Sequence, residues 1–336
     1  MADFKSLDST FTQAVAAKKI PGIVAMAATD KGVLYEGAFG QREIGKPAPM
    51  TLDTVVWIAS KRPMTLRHLL THTAGFSYEI WSPAIAQFQQ VTGTPGITTC
   101  TNAALGTPLL FDPGDRWDYG INIDWAGKMV EAVSGQRLDR YLQDNILGPL
   151  GMKDTSFKLS ASQRERLSAV HGRGPDGALA PIEFGIPQEP EFHMGGGGLY
   201  GTVPDYLQFC VMIMNGGTHN GAQVLQKSTV DLMGQNHIGD LEIGVLKTAM
   251  APLSNDVEPF PGMSKKWGLS FLINTQPVPG GRSANSLAWG GLANTYFWID
   301  RTKRVCGVFA SQLFPFYDDT AIELLGKLET SVYQKV

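Results

Sequence analysis

Trp57-Ile58-Ala59-Ser60-Lys61-Arg62-Pro63-Met64 is the stretch on which the reading of the fold turns. From Thr54 to Ala59 the residues read as a buried strand, and Ser60 stands at its end, at the mouth of a helix. A serine in that position is most often a cap for free backbone donors. A nucleophilic serine needs, in addition, a base within reach of its hydroxyl. The nearest lysine, Lys61, follows directly, and on a helix that places it about 100° around from the serine. The position three residues on, which returns near the serine's face, holds Pro63. Proline there also disfavours a helix running through from Ser60. No lysine in the sequence lies three residues after a serine.

Composition sets the frame around this stretch. A chain of 336 residues with 43% hydrophobic and 18% charged residues can bury ample core, as one large domain or two smaller ones. A formal charge of −3 supplies no basic field for nucleic acid. Cys100, Cys210 and Cys306 are widely spaced and odd in number, so neither a disulfide framework nor a zinc spacing follows. No metal and no cofactor is expected. The start, Met1-Ala2-Asp3-Phe4-Lys5, lacks the basic-then-apolar layout of a secretory signal, and the longest apolar runs are too short to span a bilayer. The expectation is a cytoplasmic enzyme without a membrane partner, its oligomeric state open.

Strand-like segments lie at both ends of the chain and helices between them. Phe4, Leu7, Phe11, Ala14 and Val15 at helical spacing predict a helix over 3–18 with one buried face. Ile23 to Ala28 and Val33 to Phe39, joined at Asp30-Lys31-Gly32, predict a hairpin. In the last third, 267–274, 296–300 and 305–311 read as strands, and 318–332 as a closing helix with Ile322, Leu325, Leu328 and Val332 on one face. Residues 64–72, 122–134, 136–147 and 202–215 read as helices. The economical architecture is α/β (α+β): one antiparallel sheet built from both termini, flanked by helices, with an inserted mainly helical region. That gives a discontinuous domain of 1–60 with 195–336, a helical domain of 61–194, and a site at the seam.

Four further constellations carry chemistry or its bland counterpart. Asp112 to Asn122 is a loop containing Tyr119. A loop tyrosine is usually a packed amphipath, yet it can relay protons when a nearby positive charge lowers its pKa. Ala288-Trp289-Gly290-Gly291-Leu292 lies among strands, where glycine allows close approach and an edge strand can offer an N–H to an oxyanion; otherwise it is a bulge or tight turn. Gly195-Gly196-Gly197-Gly198 precedes a helix but fits no phosphate-binding pattern, so a structural or clearance role is expected. His68 and His72 share a helical face, but Leu69 stands where a zinc protease would have glutamate, so packing or helix-end hydrogen bonding is expected.

Taken in order, Trp57 to Ser60, Leu66-Arg67-His68-Leu69-Leu70-Thr71-His72-Thr73-Ala74-Gly75, the Tyr119 loop, Gly195 to Tyr206 with Asn215-Gly216-Gly217, and Trp289-Gly290-Gly291 resemble the family VIII carboxylesterases, relatives of class C β-lactamases and DD-peptidases. The resemblance covers nearly the whole chain. It implies the class C β-lactamase-like fold and an acyl-enzyme at Ser60, with Tyr119 sharing the proton of a lysine three residues after the serine. It implies that Trp289-Gly290-Gly291 occupies the strand that is K-T-G in β-lactamases, with the N–H groups of Ser60 and Leu292 holding the oxyanion. Trp289 in place of the K-T-G lysine favours a small ester, short or aromatic, over a β-lactam carboxylate. The Y-x-N pattern becomes Tyr119-Gly120-Ile121, with Asn122 displaced by one.

The expected activity is therefore a serine carboxylesterase. The alternatives are β-lactamase or DD-peptidase activity, a transacylase, and a non-catalytic binding protein. In such a family several dozen residues separate the serine from the segment that here begins at Arg62. Either a lysine-bearing segment belongs between Ser60 and Lys61, or the chain is a deletion variant without activity.

Overall fold

The computed structural model describes residues 4–29, 32–54 and 63–336. Ser60, its junction with Lys61, and the Asp30-Lys31 part of the expected turn lie outside the described residues. Contacts divide the chain into two compact units, Met1–Lys61 and Arg62–Val336. The helical middle and the C-terminal strands share the second unit, so the boundary expected near residue 195 falls inside it.

The first unit contains α1 (Lys5–Ala16), β1 (Gly22–Thr29) and β2 (Gly32–Gly40). The strands pair antiparallel, from Gly22 opposite Gly40 to Thr29 opposite Gly32, and form a two-stranded sheet. The helical spacing of the apolar residues has the expected effect, since the Phe11 ring lies 5.5 Å from Phe39 and the Phe4 ring 5.0 Å from Tyr35. The Tyr35 hydroxyl donates to Asp8 at 2.8 Å. The buried face expected for this helix does not form: no residue of α1 is buried, and Leu7 is exposed.

The second unit contains α2 (Leu66–Leu70), α3 (Pro83–Thr92), α4 (Asn122–Ser134), α5 (Leu138–Leu142), a hairpin β3 (Val170–Arg173) and β4 (Leu179–Ile182), and α6 (Val203–Met214). It continues with β5 (Lys265–Trp267), β6 (Leu272–Asn274), β7 (Leu287–Gly291), β8 (Thr295–Asp300), β9 (Val305–Ala310), β10 (Leu313–Phe314) and α7 (Asp319–Tyr333). Strands β9-β8-β7-β6-β5, in that order, make a five-stranded antiparallel sheet. The expected strand over 267–274 is two strands. Ser270 adopts φ +70° and Gly268 N–H bonds back to the Phe271 carbonyl at 2.8 Å, so the chain turns and Trp267 pairs with Leu272. The β3–β4 hairpin, which carries β10 as a parallel neighbour, has no alternating pattern in its sequence and was not predicted by spacing.

Side-chain alternation in the sheet places helices on both faces. Phe271, Ile273, Leu287 and Ile299 cluster with Cys210, Met212 and Ile213 of α6. Their sequence neighbours Ala288 and Trp298 point the other way, to Tyr333 and Val332 of α7. Ile299 and Cys210 are fully buried, and each large aliphatic side chain so enclosed contributes about 1.5–3 kcal/mol. Among the described residues no helix is long and apolar enough to cross a membrane.

Candidate active site

The short helix α2 is set by a reciprocal cap. Thr65 accepts from the His68 N–H at 3.2 Å, and His68 Nδ1 accepts from the Thr65 N–H at 3.3 Å. His68 is thus engaged at the start of the helix. His72 leaves its far end with φ +55°, a left-handed conformation that histidine tolerates better than branched residues do. The two histidines therefore do different jobs, in keeping with helix-end hydrogen bonding and packing.

The turn at His72 receives the Tyr119 loop. Asp118 N–H donates to the His72 carbonyl at 2.9 Å, and Gly120 N–H to His72 Nδ1 at 3.3 Å. Asn122 Nδ2 lies 3.1 Å from the same Nδ1, and the Asn122 N–H closes on the Gly120 carbonyl at 2.7 Å. Gly120 is required by close approach, because a Cβ there would sit 2.4 Å from the Ser77 Cα. Ser77 in turn donates its hydroxyl to Asp118 at 2.9 Å. Asn122, displaced by one from the Y-x-N position, is fully buried and acts on this loop.

Tyr119 emerges half-buried into an aromatic enclosure. Its ring centre lies 4.4 Å from His72, 4.8 Å from Trp289, 5.5 Å from Tyr78 and 5.6 Å from Trp81. Trp267 backs both His72 and Trp289, at 5.3 and 4.8 Å, and its indole N–H donates to the Leu70 carbonyl at 3.2 Å. Burial pushes the Tyr119 phenol up to about 12; the Trp289 indole acts against the rise and the Asp124 carboxylate acts with it. The described residues thus hold Tyr119 as a neutral phenol, which can donate a proton; lowering it to a base requires a cation that they do not bring to bear. Burial alone pushes His72 down to about 3, so its imidazole is neutral at physiological pH.

Asp124 on α4 anchors the glycine run. Its carboxylate accepts from Gly196 N–H at 2.9 Å and from the Tyr78 hydroxyl at 3.3 Å. Burial raises it to about 7, with the two hydrogen bonds acting against the rise. A carboxylate already occupying the loop's N–H is incompatible with a phosphate cradle, so the structural role expected for Gly195 to Gly198 fits.

Trp289-Gly290-Gly291 ends β7. Strand β6 pairs with β7 only at Leu287 and Ala288, whereas β8 pairs with it as far as Gly291. The last three residues therefore have no ladder partner on the β6 side, and that edge carries the Trp289-Gly290-Gly291 backbone. What approaches Gly290 is the Tyr296 ring: a Cβ there would lie 2.7 Å from it. The glycine makes room for an aromatic side chain of the next strand. Leu292 is partly buried in the same cluster as Trp117, Tyr119 and Trp289.

Of the residues singled out from sequence, the structure brings together Tyr119, Trp289 and Leu292, while Ser60 lies outside the described residues. Sequence reasoning missed Trp81, Trp117 and Trp267 as walls, Asp124 as an anchor, and the pairing of His72 with the Tyr119 loop. The available signal was the density of tryptophan beside the motifs, since a single indole near a loop is otherwise read as core.

A two-faced antiparallel sheet with a helical region beside it is a scaffold of the β-lactamase type. The Beta-lactamase family model matches residues 58–329, and the chain belongs to that family. It is similar to the lovastatin esterase of Penicillium rubens, 28% identical over 399 aligned positions that cover 98% of each chain. It is also similar to the monacolin J acid methylbutanoyltransferase of Aspergillus terreus, 28% identical over 401 positions covering 97% of this chain and 95% of that one. Among solved structures, unliganded simvastatin synthase from Aspergillus terreus superposes with a TM-score of 0.70 at 26% identity, covering 100% of this chain and 99% of that one. The first two of these relatives are named as an esterase and an acyltransferase.

Proposed function

We propose that this protein is a serine acyl-transfer enzyme that moves an acyl group from a neutral ester to an alcohol, with water as the competing acceptor. In the first step the Ser60 oxygen attacks the ester carbonyl and the alkoxide leaves, taking a proton relayed through Tyr119. In the second, an alcohol attacks the acyl-enzyme, gives its proton back along the same path and frees Ser60. When water attacks instead, the products are the acid and the enzyme, which is carboxylesterase activity. The N–H groups of Ser60 and Leu292 are the proposed oxyanion donors.

The observation that carries this reading is Trp289, 4.8 Å from Tyr119, at the head of the motif that the resemblance matches to K-T-G. An indole offers no charge to a β-lactam carboxylate and suits an uncharged ester. Relatives named as a methylbutanoyltransferase and as an esterase, at equal identity, support transfer with hydrolysis as its side branch. The test is a p-nitrophenyl butyrate assay with and without an added alcohol. New ester at the expense of free acid supports transfer, acid alone supports a carboxylesterase, and faster turnover of a chromogenic cephalosporin refutes both.

The lysine of the proposed proton relay does not follow Ser60 in this chain. The alignment to the esterase spans 399 positions against 336 residues here, so at least 63 positions of that relative (399 less 336) face no residue of this chain. We propose that the competent form carries a lysine-bearing segment between Ser60 and Lys61. A serine-directed phosphonate, mapped by mass spectrometry, then labels Ser60 in a form carrying that segment and not in the 336-residue chain. Equal labelling of both would remove the need for the segment, and labelling of neither would leave the scaffold as a binding protein.

A further inference from the structure

The two residues that flank Tyr119 are both tied to His72. Asp118 reaches its carbonyl at 2.9 Å and Gly120 its Nδ1 at 3.3 Å, while the His72 ring lies 4.4 Å from the phenol ring at 37°. Two N–H donors, from Gly120 and from the Asn122 side chain, converge on Nδ1, which assigns it as the acceptor and puts the ring proton on Nε2. An imidazolium could not accept either bond. The loop has no slack on its other side, where Gly120 presses on Ser77. The His72 turn is itself held from below, because the Leu70 carbonyl takes the Trp267 indole N–H and the Ser270 N–H at 2.9 Å.

From this geometry we infer that His72 is the positioning residue for Tyr119: one neutral imidazole and its own carbonyl fix the loop on both sides of the phenol. Its side-chain and carbonyl hydrogen bonds among the described residues run to Asp118, Gly120 and Asn122 of the loop, so it acts through the tyrosine. The kinetic consequence rests on the acyl-transfer reading above, whereas the clamp itself does not.

The geometry separates two substitutions of similar size. In His72→Asn the side-chain oxygen stands two bonds from Cβ, as Nδ1 does, and asparagine also tolerates the left-handed backbone. In His72→Gln the oxygen lies one bond too far. Amide hydrogen exchange on the full chain reads the clamp without any turnover. The Gly120 and Asn122 amides are expected to exchange at least tenfold faster in His72→Gln than in the parent, with His72→Asn within about threefold of it. Equal exchange in parent and His72→Gln, or equal loosening in both variants, overturns the clamp.

In the form that takes the phosphonate label, His72→Gln is expected to lower kcat about 10- to 100-fold with KM within about twofold, and His72→Asn to restore most of it. In a Tyr119→Phe background the same His72→Gln change is expected to cost less than about twofold more. A full additional loss there would show that His72 acts on stability or by another route, and would refute the positioning role. If no form turns over, the acyl-transfer reading fails and the exchange result alone decides the clamp.

Discussion

Residues 1–61 and 62–336 solve the same problem of hiding apolar surface with very different success. In the first unit Tyr35 is the buried hydrophobic residue among those described, and Met26, Val33, Leu34 and Ile44 are all more than half exposed. In the second, the central sheet is sandwiched between α6 and α7, and Trp267, Trp298, Ile213, Leu287 and Ile299 are almost completely enclosed. Both units contain a helix and antiparallel strands with apolar residues at the right spacing. The difference teaches that local pattern makes the elements, but stability comes from having enough of them to enclose one another.

The largest expected contrast is in backbone protection. Hydrogen exchange on the full chain should find amides of α6 and β8 protected at least about 10³-fold more than those of β1 and β2. Similar protection in both units would break the comparison outright.

Chemistry provides the next contrast. In the form that turns over, Tyr119→Phe is expected to lower kcat by about 10²- to 10⁴-fold, the range for a lost proton relay, with the unfolding midpoint little changed. An undiminished kcat would remove Tyr119 from the mechanism.

Packing then sharpens the difference side chain by side chain. Ile299→Ala, at a fully buried position, should cost about 2–5 kcal/mol in denaturant unfolding. Val33→Ala, at a position 58% exposed, should cost less than about 0.5 kcal/mol. Comparable losses would mean that the first unit has a core of its own.

A subtler effect separates two buried titrating groups of the second unit. Asp124 is raised from 3.8 to about 7, so its contribution to stability is full below pH 4 and lost as the pH rises through 7. At about 1.4 kcal/mol per unit over about 3 units (7 less 3.8), the swing is on the order of 4 kcal/mol at most. His72 has the opposite sign: lowered from 6.5 to about 3, it contributes fully above pH 6.5 and loses its contribution as the pH falls toward 3. Thermal unfolding of Asp124→Asn should therefore lack the decline of the parent between pH 4 and 8 while retaining its acid limb. Parallel curves for the two proteins would sink the assignment to Asp124.

Much of the element content was legible. Apolar spacing at Ile322, Leu325, Leu328 and Val332 marked α7, although Leu328 is exposed, and the pattern of 202–215 marked α6, because a helix that packs on one side must repeat every three to four residues. The single strand expected over 267–274 failed because Gly268-Leu269-Ser270 can turn as readily as extend, and only the pairing of Trp267 with Leu272 decides between the two. The same holds at the site. Tyr119 and Trp289-Gly290-Gly291 could be named from sequence, but not that Gly290 yields to the Tyr296 ring or that Asp124 holds the glycine run.

By itself, the sequence determined most of the helices and the terminal strands, the ordered motifs that mark the β-lactamase type of scaffold, and the absence of a lysine three residues after Ser60. Those are properties of neighbouring residues and of residue identity, and they survive without knowing what touches what. The tertiary structure alone decided that the described residues of the second unit enclose a core while those of the first are largely exposed, that an indole faces Tyr119, and that His72, nearly fifty residues upstream, bonds to both sides of it. Burial and hydrogen-bond partners depend on distances between residues far apart in the chain, and no local pattern encodes them.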